Sequence, residues 1–307
     1  VALDLATFGW HAGWRQRAIA ASDLPFPAPL ALGDQRALAV YPDPVYPYDQ
    51  PASMRALRLP NWGALAGVRH VGGYDAFVYA RYAELLGDLH SGGAIRHPDP
   101  VFAPGNRILD LLATREVLLS ADLAADPAWR ARLAAPRFTE AGREPGLVRY
   151  ANRDALPRAW RVARLVLADR AATQAAIAGQ APFDPRQDAL VGAARAPVSP
   201  GTAALRGERL NGLDLVTDGA GSGFVVVSTG YDPGWWASDE DGAPYAIERA
   251  NGCLLGVRVG PGPQRIFLHY QPPGLARGLA LGGLTLLLGL AWLLRGRGRG
   301  AKGAQPA

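Results

Sequence analysis

The sequence predicts an α+β protein. A mixed α/β region spans 1–146, an antiparallel β-sandwich-like region spans 147–274, and one transmembrane helix over 275–295 leads into a basic tail at 296–307. Three observations predict it. Helix and strand signals alternate before Tyr150, short apolar runs broken by Gly-, Pro- and Asp-rich turns follow it, and the seventeen residues from Gly278 to Leu294 carry no charge.

In chain order, Pro25, Pro27, Pro29, Pro42, Pro44, Pro47 and Pro51 predict an extended path with one short strand over Ala37–Tyr41, because proline withholds the N–H that a ladder needs. Leu59-Pro60-Asn61-Trp62-Gly63 reads as a turn. Asp75 is placed to cap a helix reaching Leu86, in which Phe77, Val78, Tyr82, Leu85 and Leu86 recur at three- and four-residue spacing. A second short helix is expected over 107–113 with Asn106 as its cap, then a strand at Val117–Leu119.

Beyond Tyr150 the runs Arg161–Leu167, Leu213–Thr217, Phe224–Ser228, Tyr245–Arg249, Leu254–Val259 and Arg265–Tyr270 read as strands. A helix at Ala171–Ala178 interrupts them, and Ala193–Gly207, rich in small residues and proline, reads as a loop. The boundary between the two regions falls at Gly146.

Gly278–Leu294 extends about 25 Å at about 1.5 Å per residue, close to the thickness of a hydrocarbon core. Arg277 precedes the span, and Arg295, Arg297, Arg299 and Lys302 follow it. The positive-inside tendency puts that tail in the cytoplasm and the bulk of the chain outside the cell membrane.

The composition, 49% hydrophobic and 19% charged, excludes a disordered or fibrous chain. The formal charge of +5 falls to about +1 without the four basic tail residues. A nucleic-acid surface needs its positive charge spread over the face that follows the phosphates, so none is expected as a partner. Cys253 is the one cysteine, which rules out an intrachain disulfide or a thiolate metal cluster.

A set of phrases carries a resemblance. These are Asn152-Arg153-Asp154-Ala155-Leu156-Pro157-Arg158-Ala159-Trp160, Tyr231-Asp232-Pro233-Gly234-Trp235, Asp241-Gly242, Arg249-Ala250-Asn251 and Tyr270-Gln271-Pro272-Pro273-Gly274. Upstream, Pro60-Asn61, Gly72-Gly73-Tyr74-Asp75, Arg81-Tyr82, Leu85-Leu86 and Leu109 to Leu112 continue it, and Asp4-Leu5 looks like the exit of a preceding membrane helix. Together they resemble the C-terminal extracytoplasmic portion of the YfhO family of bacterial multi-span membrane proteins, which is of the GT-C glycosyltransferase type. The resemblance implies a missing N-terminal multi-span region that holds the catalytic residues. It also implies a role accessory to sugar transfer from a lipid-linked donor to a cell-envelope polymer.

No catalytic residue, metal site or cofactor is expected in this chain. His11, His70, His90, His97 and His269 are too scattered for a metal. Asp239, Glu240 and Asp241 read as an acidic turn, and Gly219-Ala220-Gly221-Ser222-Gly223 lacks the Lys-Ser/Thr of a phosphate loop. Tyr74, Asp75, Arg81, Trp236 and Tyr245 are the residues expected to meet a glycan, a lipid-linked sugar or a polymer phosphate. Successive strand residues face opposite ways, so of Trp235 and Trp236 one plugs the core and one faces out. Two alternatives compete with the YfhO-like reading: a tail-anchored carbohydrate-binding module, and a non-enzymatic scaffold whose Gly278, Gly282, Gly283 and Gly289 pack on other membrane helices.

Overall fold

Period-two apolar patterns recur along the chain, and among the described residues fifteen strands form in three sheets. The computed structural model describes residues 30–40, 67–72, 79–89, 93–193, 196–209 and 211–300, the last eight of them without side-chain detail. Tyr74, Asp75, His11, His90 and the Leu59–Gly63 turn lie outside these residues.

The first sheet has the order β1 (Arg36–Val40), β2 (Thr114–Ser120), β4 (Leu147–Asn152), β3 (Phe138–Glu144). β1 and β2 are parallel and the remaining pairs antiparallel. Between β1 and β2 lie α1 (Ala80–Leu85), α2 (Pro98–Phe102) and α3 (Ile108–Leu111). The cap of α3 is Arg107 and not the expected Asn106, whose Oδ1 instead accepts from the Ile108 N–H at 2.8 Å just before the helix. After β2 come α4 (Ala121–Ala125) and α5 (Pro127–Arg132), capped by the side chains of Ser120 and Asp126. β3 and β4 pair from Glu144 and Leu147 outward, so the Gly146 boundary expected from the sequence falls inside a hairpin.

The central sheet has six strands, in the order β5 (Ala159–Val162), β10 (Gly223–Gly230), β14 (Leu254–Val259), β13 (Ile247–Ala250), β7 (Asp188–Val191), β6 (Arg164–Leu167). It corrects the all-antiparallel expectation, because β6 and β7 are parallel. The chain between them carries α6 (Arg170–Ile177), and a helical crossover returns a strand in the direction it left. The third sheet, β12 (Pro244–Tyr245), β11 (Trp235–Ser238), β15 (Gln264–Tyr270), β9 (Gly212–Asp218), β8 (Thr202–Arg209), is antiparallel throughout.

Strand alternation gives the central sheet two apolar faces. Val225, Val227, Leu255 and Val257 meet Leu213, Leu215, Ile266 and Leu268 of the third sheet. Phe224, Val226, Trp160 and Val162 turn the other way, toward α6, the short helices and the inner face of the first sheet. Gly256 is needed there, since any Cβ on it would run into the Phe224 ring. One cluster therefore runs from Leu38 to Leu254, across the boundary expected at Gly146.

β15 passes through 271–274 into α7 (Leu275–Gly300). Its stretch Leu275–Trp292 has a mean hydropathy of 1.6, is long enough to cross a membrane, and none of it is covered by the rest of the protein.

Candidate functional site

Four clusters of polar side chains among the described residues bear on a site, three of them closed. Asp110 of α3 is buried, accepts from the Asn152 amide at 2.9 Å and lies 3.7 Å from the Arg137 guanidinium. Burial raises its carboxyl above the usual range, against the opposing Asn152 hydrogen bond and Arg137 charge. This cluster fixes the start of the Asn152–Trp160 segment, and Leu156 donates its N–H to the Asp110 carbonyl.

A second closed place surrounds Arg161, whose guanidinium donates to the carbonyls of Ser199 and Gly221. Gly219 and Gly223 pack so close that a Cβ at either would collide with it. The glycine-rich run Gly219–Gly223 is thus a sleeve around a buried arginine. The third joins all three sheets. Arg158 donates two bonds to Glu208, at 2.8 and 3.2 Å, Arg69 adds a third at 2.8 Å, and Arg36 nearby donates to Ser228 Oγ at 2.8 Å. Burial works to raise the Glu208 carboxyl, but Arg158 and then Arg69 overcome it and bring it down to about 2. Burial, with the like charge of Arg158, lowers Arg36 to about 10.

The open place is a cleft of about 290 Å³ between α1, the start of α6, the end of β7 and the β13–β14 turn. Arg81, Arg170 and Arg249 line it with Glu84 and Asp169, above a floor of Leu85, Leu190 and Val191. Three of the five charges are already engaged. Arg170 binds Glu84 at 2.6 Å, which lowers that carboxyl with help from Gln174, and Asp169 caps α6 by accepting from the Ala172 N–H at 2.8 Å. Arg249 lies 4.8 Å over the Tyr231 ring, a cation–π contact that leaves its N–H edge free to turn outward. The floor is held by Asn251, a non-glycine residue at φ 47° whose N–H and side chain engage the Leu190 backbone.

Of the five residues expected to touch a ligand, Arg81 lines this cleft, and Tyr74 and Asp75 lie outside the described residues. Trp236 and Tyr245 sit elsewhere, on β11 and β12. Trp236 is half exposed on the outer face of the third sheet, and Trp235 turns inward against the cluster between the sheets. Sequence reasoning missed Glu84, which lies one turn from Arg81 on α1, and Arg170, which only the packing of α6 on α1 brings to Arg81. Arg249 stood in a quoted phrase without a role. Asp239 closes its own turn by accepting from the N–H groups of Asp241 and Ala243. No group of three or more His, Cys, Asp or Glu placed to hold a metal occurs among the described residues.

Comparison of the chain with protein-family models, with curated proteins and with solved structures finds no match among them.

Proposed function

We propose that this chain is the membrane-anchored, extracytoplasmic C-terminal part of a YfhO-like membrane protein. In this reading it is accessory to sugar transfer from a lipid-linked donor to a cell-envelope polymer, and the catalytic groups belong to an N-terminal multi-span region. The observation that carries the reading is the direct passage of β15 into α7, an apolar helix that nothing in the folded part covers. The second and third sheets then act as a sandwich standing on the membrane. The cleft beside Arg81 and Arg249 offers two guanidiniums to a phosphate, and guanidinium binds phosphate in bidentate fashion. Both a polyprenyl-phosphate sugar and an anionic polymer present that group.

Reading the coding frame upstream of Val1 tests the assignment. About ten hydrophobic spans with acidic outer loops support it, whereas a stop codon immediately before Val1 removes it. The membrane side has its own test. Asp122→Cys, on an exposed turn of α4, is expected to react with an impermeant maleimide in intact cells, while Cys253 is buried and silent. Protection of that cysteine until the cells are lysed would put the folded part in the cytoplasm.

The half-exposed Trp236 favours a second reading, a tail-anchored carbohydrate-binding module, since a sugar ring packs well on an open indole face. Binding of neutral oligosaccharides by the chain alone, abolished in Trp236→Ala and kept in Arg81→Ala, would establish that reading instead.

A further inference from the structure

We propose that Trp236 and Tyr79 form an aromatic collar that seats the folded domain in the headgroup layer of the bilayer that α7 crosses. The inference rests on α7 being a membrane span and goes beyond it, assigning a lipid-contacting surface to the folded part.

Outside α7, four large apolar or aromatic side chains among the described residues are exposed: Tyr79, Val166, Leu167 and Trp236. Isolated exposed side chains of this kind are ordinary, so position decides. Trp236 pairs in register with His269 and stacks on it, ring centroids 4.2 Å apart and planes at 22°. The Tyr79 hydroxyl lies beside the Tyr270 hydroxyl and the Asp232 carboxylate, and a Cβ on Gly230 would touch its ring at 3.7 Å. His269 and Tyr270 are the last two residues of β15. Gln271 then donates its N–H to the Gly234 carbonyl, the Leu275 N–H closes a turn onto Pro272, and α7 begins. Two of the four exposed side chains therefore touch the two residues through which the chain enters the helix.

They do so from opposite sides. His269 points to the outer face of the third sheet with Trp236, whereas Tyr270 points the other way, its ring 5.2 Å from that of Trp235. A ligand platform would gather its aromatics on one face. What these two share is their level along β15, the level at which the chain meets the membrane. Depth agrees. The uncharged run starts at Gly278, about 5 Å along the helix from Leu275, which leaves Arg277 and the Pro272–Gly274 turn in an interfacial layer about 5–7 Å thick per leaflet. Tryptophan and tyrosine concentrate in that layer because their rings are apolar on the body and polar at the tip.

The test uses the full chain in phosphatidylcholine vesicles whose acyl chains carry bromine either near the headgroup or near the bilayer centre, with tryptophan emission as the readout. The emission lost in Trp236→Phe isolates Trp236, and the loss in Trp292→Phe isolates α7. The collar predicts that Trp236 emission falls with shallow bromine and holds with deep bromine. In a Trp236→Phe background, Tyr79→Trp should add a new emission with the same depth profile. Trp236 emission indifferent to bromine but changed by added oligosaccharide would assign the indole to sugar, and emission indifferent to both would leave it a bare surface residue. Either result overturns the collar while quenching of Trp292 leaves the anchor standing. If Trp292 too is untouched, α7 is not in the bilayer and both fall together.

Discussion

Arginines crowd the junction at Glu208 and the cleft at Arg81 alike, yet the two differ in what their N–H groups do. At the junction Arg36, Arg69 and Arg158 surround a single carboxylate, and their guanidiniums donate to Glu208, Ser228 and the backbone carbonyls of Gly33 and Leu112, with the Arg158 Nε buried and unpaired. At the cleft, Arg170 is spent on Glu84, while Arg81 and Arg249 stand on the rim of an open volume. An excess of positive charge therefore does not mark a ligand site. The mark is a donor that the protein leaves facing space.

The largest effect that would sharpen this contrast is at the junction. Glu208→Gln keeps the shape but removes the charge that faces Arg158, whose side chain is 3% exposed. Stranding one partner of a fully buried pair costs about 3–5 kcal/mol. Glu208 itself keeps over a third of its side chain in water, and that screening reduces the expected loss to about 2 kcal/mol. Urea unfolding of the full chain in detergent measures it, and a midpoint unchanged from wild type would mean that Arg158 finds another partner.

The same carboxylate sets a pH signature. Its folded value of about 2 lies below the ordinary glutamate value of about 4.3. A depressed carboxylate contributes stability that is fully present above the unfolded value and is lost as pH falls through the folded one. The gap between wild type and Glu208→Gln should accordingly hold at neutral pH and narrow between about pH 4 and pH 2. A gap that stays constant across that window would show that the loss in the variant is packing and not charge.

Smaller again is the Arg170–Glu84 pair, which bridges α6 and α1 in the open. Exposed ion pairs are worth about 0.2–1 kcal/mol, and a double-mutant cycle on Arg170→Ala and Glu84→Ala should return a coupling within that range. A larger coupling would mean that the pair holds the cleft walls together as the junction holds the sheets.

Legibility in the sequence follows the same divide between what is local and what is assembled. β10, β14 and β15 were readable because Phe224–Ser228, Leu254–Val259 and Arg265–Tyr270 place apolar residues on a buried face. β8 begins inside the stretch Ala193–Gly207 that reads as a loop, because Thr202–Arg209 is built of small and charged residues at a sheet edge, where no apolar stripe is required. β3 has the same character and the same edge position, with Phe138 its one buried residue. The parallel β6–β7 pair was out of reach, since strand direction is set by the crossover and not by the strand residues. The split between Trp235 and Trp236 was legible from alternation alone. Arg81, expected from the sequence to meet a sugar or polymer, lies on the cleft, but its neighbours Arg170 and Arg249 lie about 90 and 170 residues away along the chain and meet it only through packing.

The smallest expected change in stability is the most informative about function. Arg81→Ala and Arg249→Ala remove rim side chains that hold no sheet or helix in place, so each should move the unfolding midpoint by less than about 0.5 kcal/mol. If the cleft takes a phosphate, the same variants should weaken binding of inorganic pyrophosphate to the full chain in detergent, each by about tenfold, as loss of one charge-assisted contact of about 1.4 kcal/mol requires. Glu208→Gln, compared at a temperature where it remains folded, should leave that affinity unchanged. The three results together separate donors that face space from donors spent on the fold. Loss of affinity in Glu208→Gln, or none in Arg81→Ala and Arg249→Ala, would instead move anion binding out of the cleft.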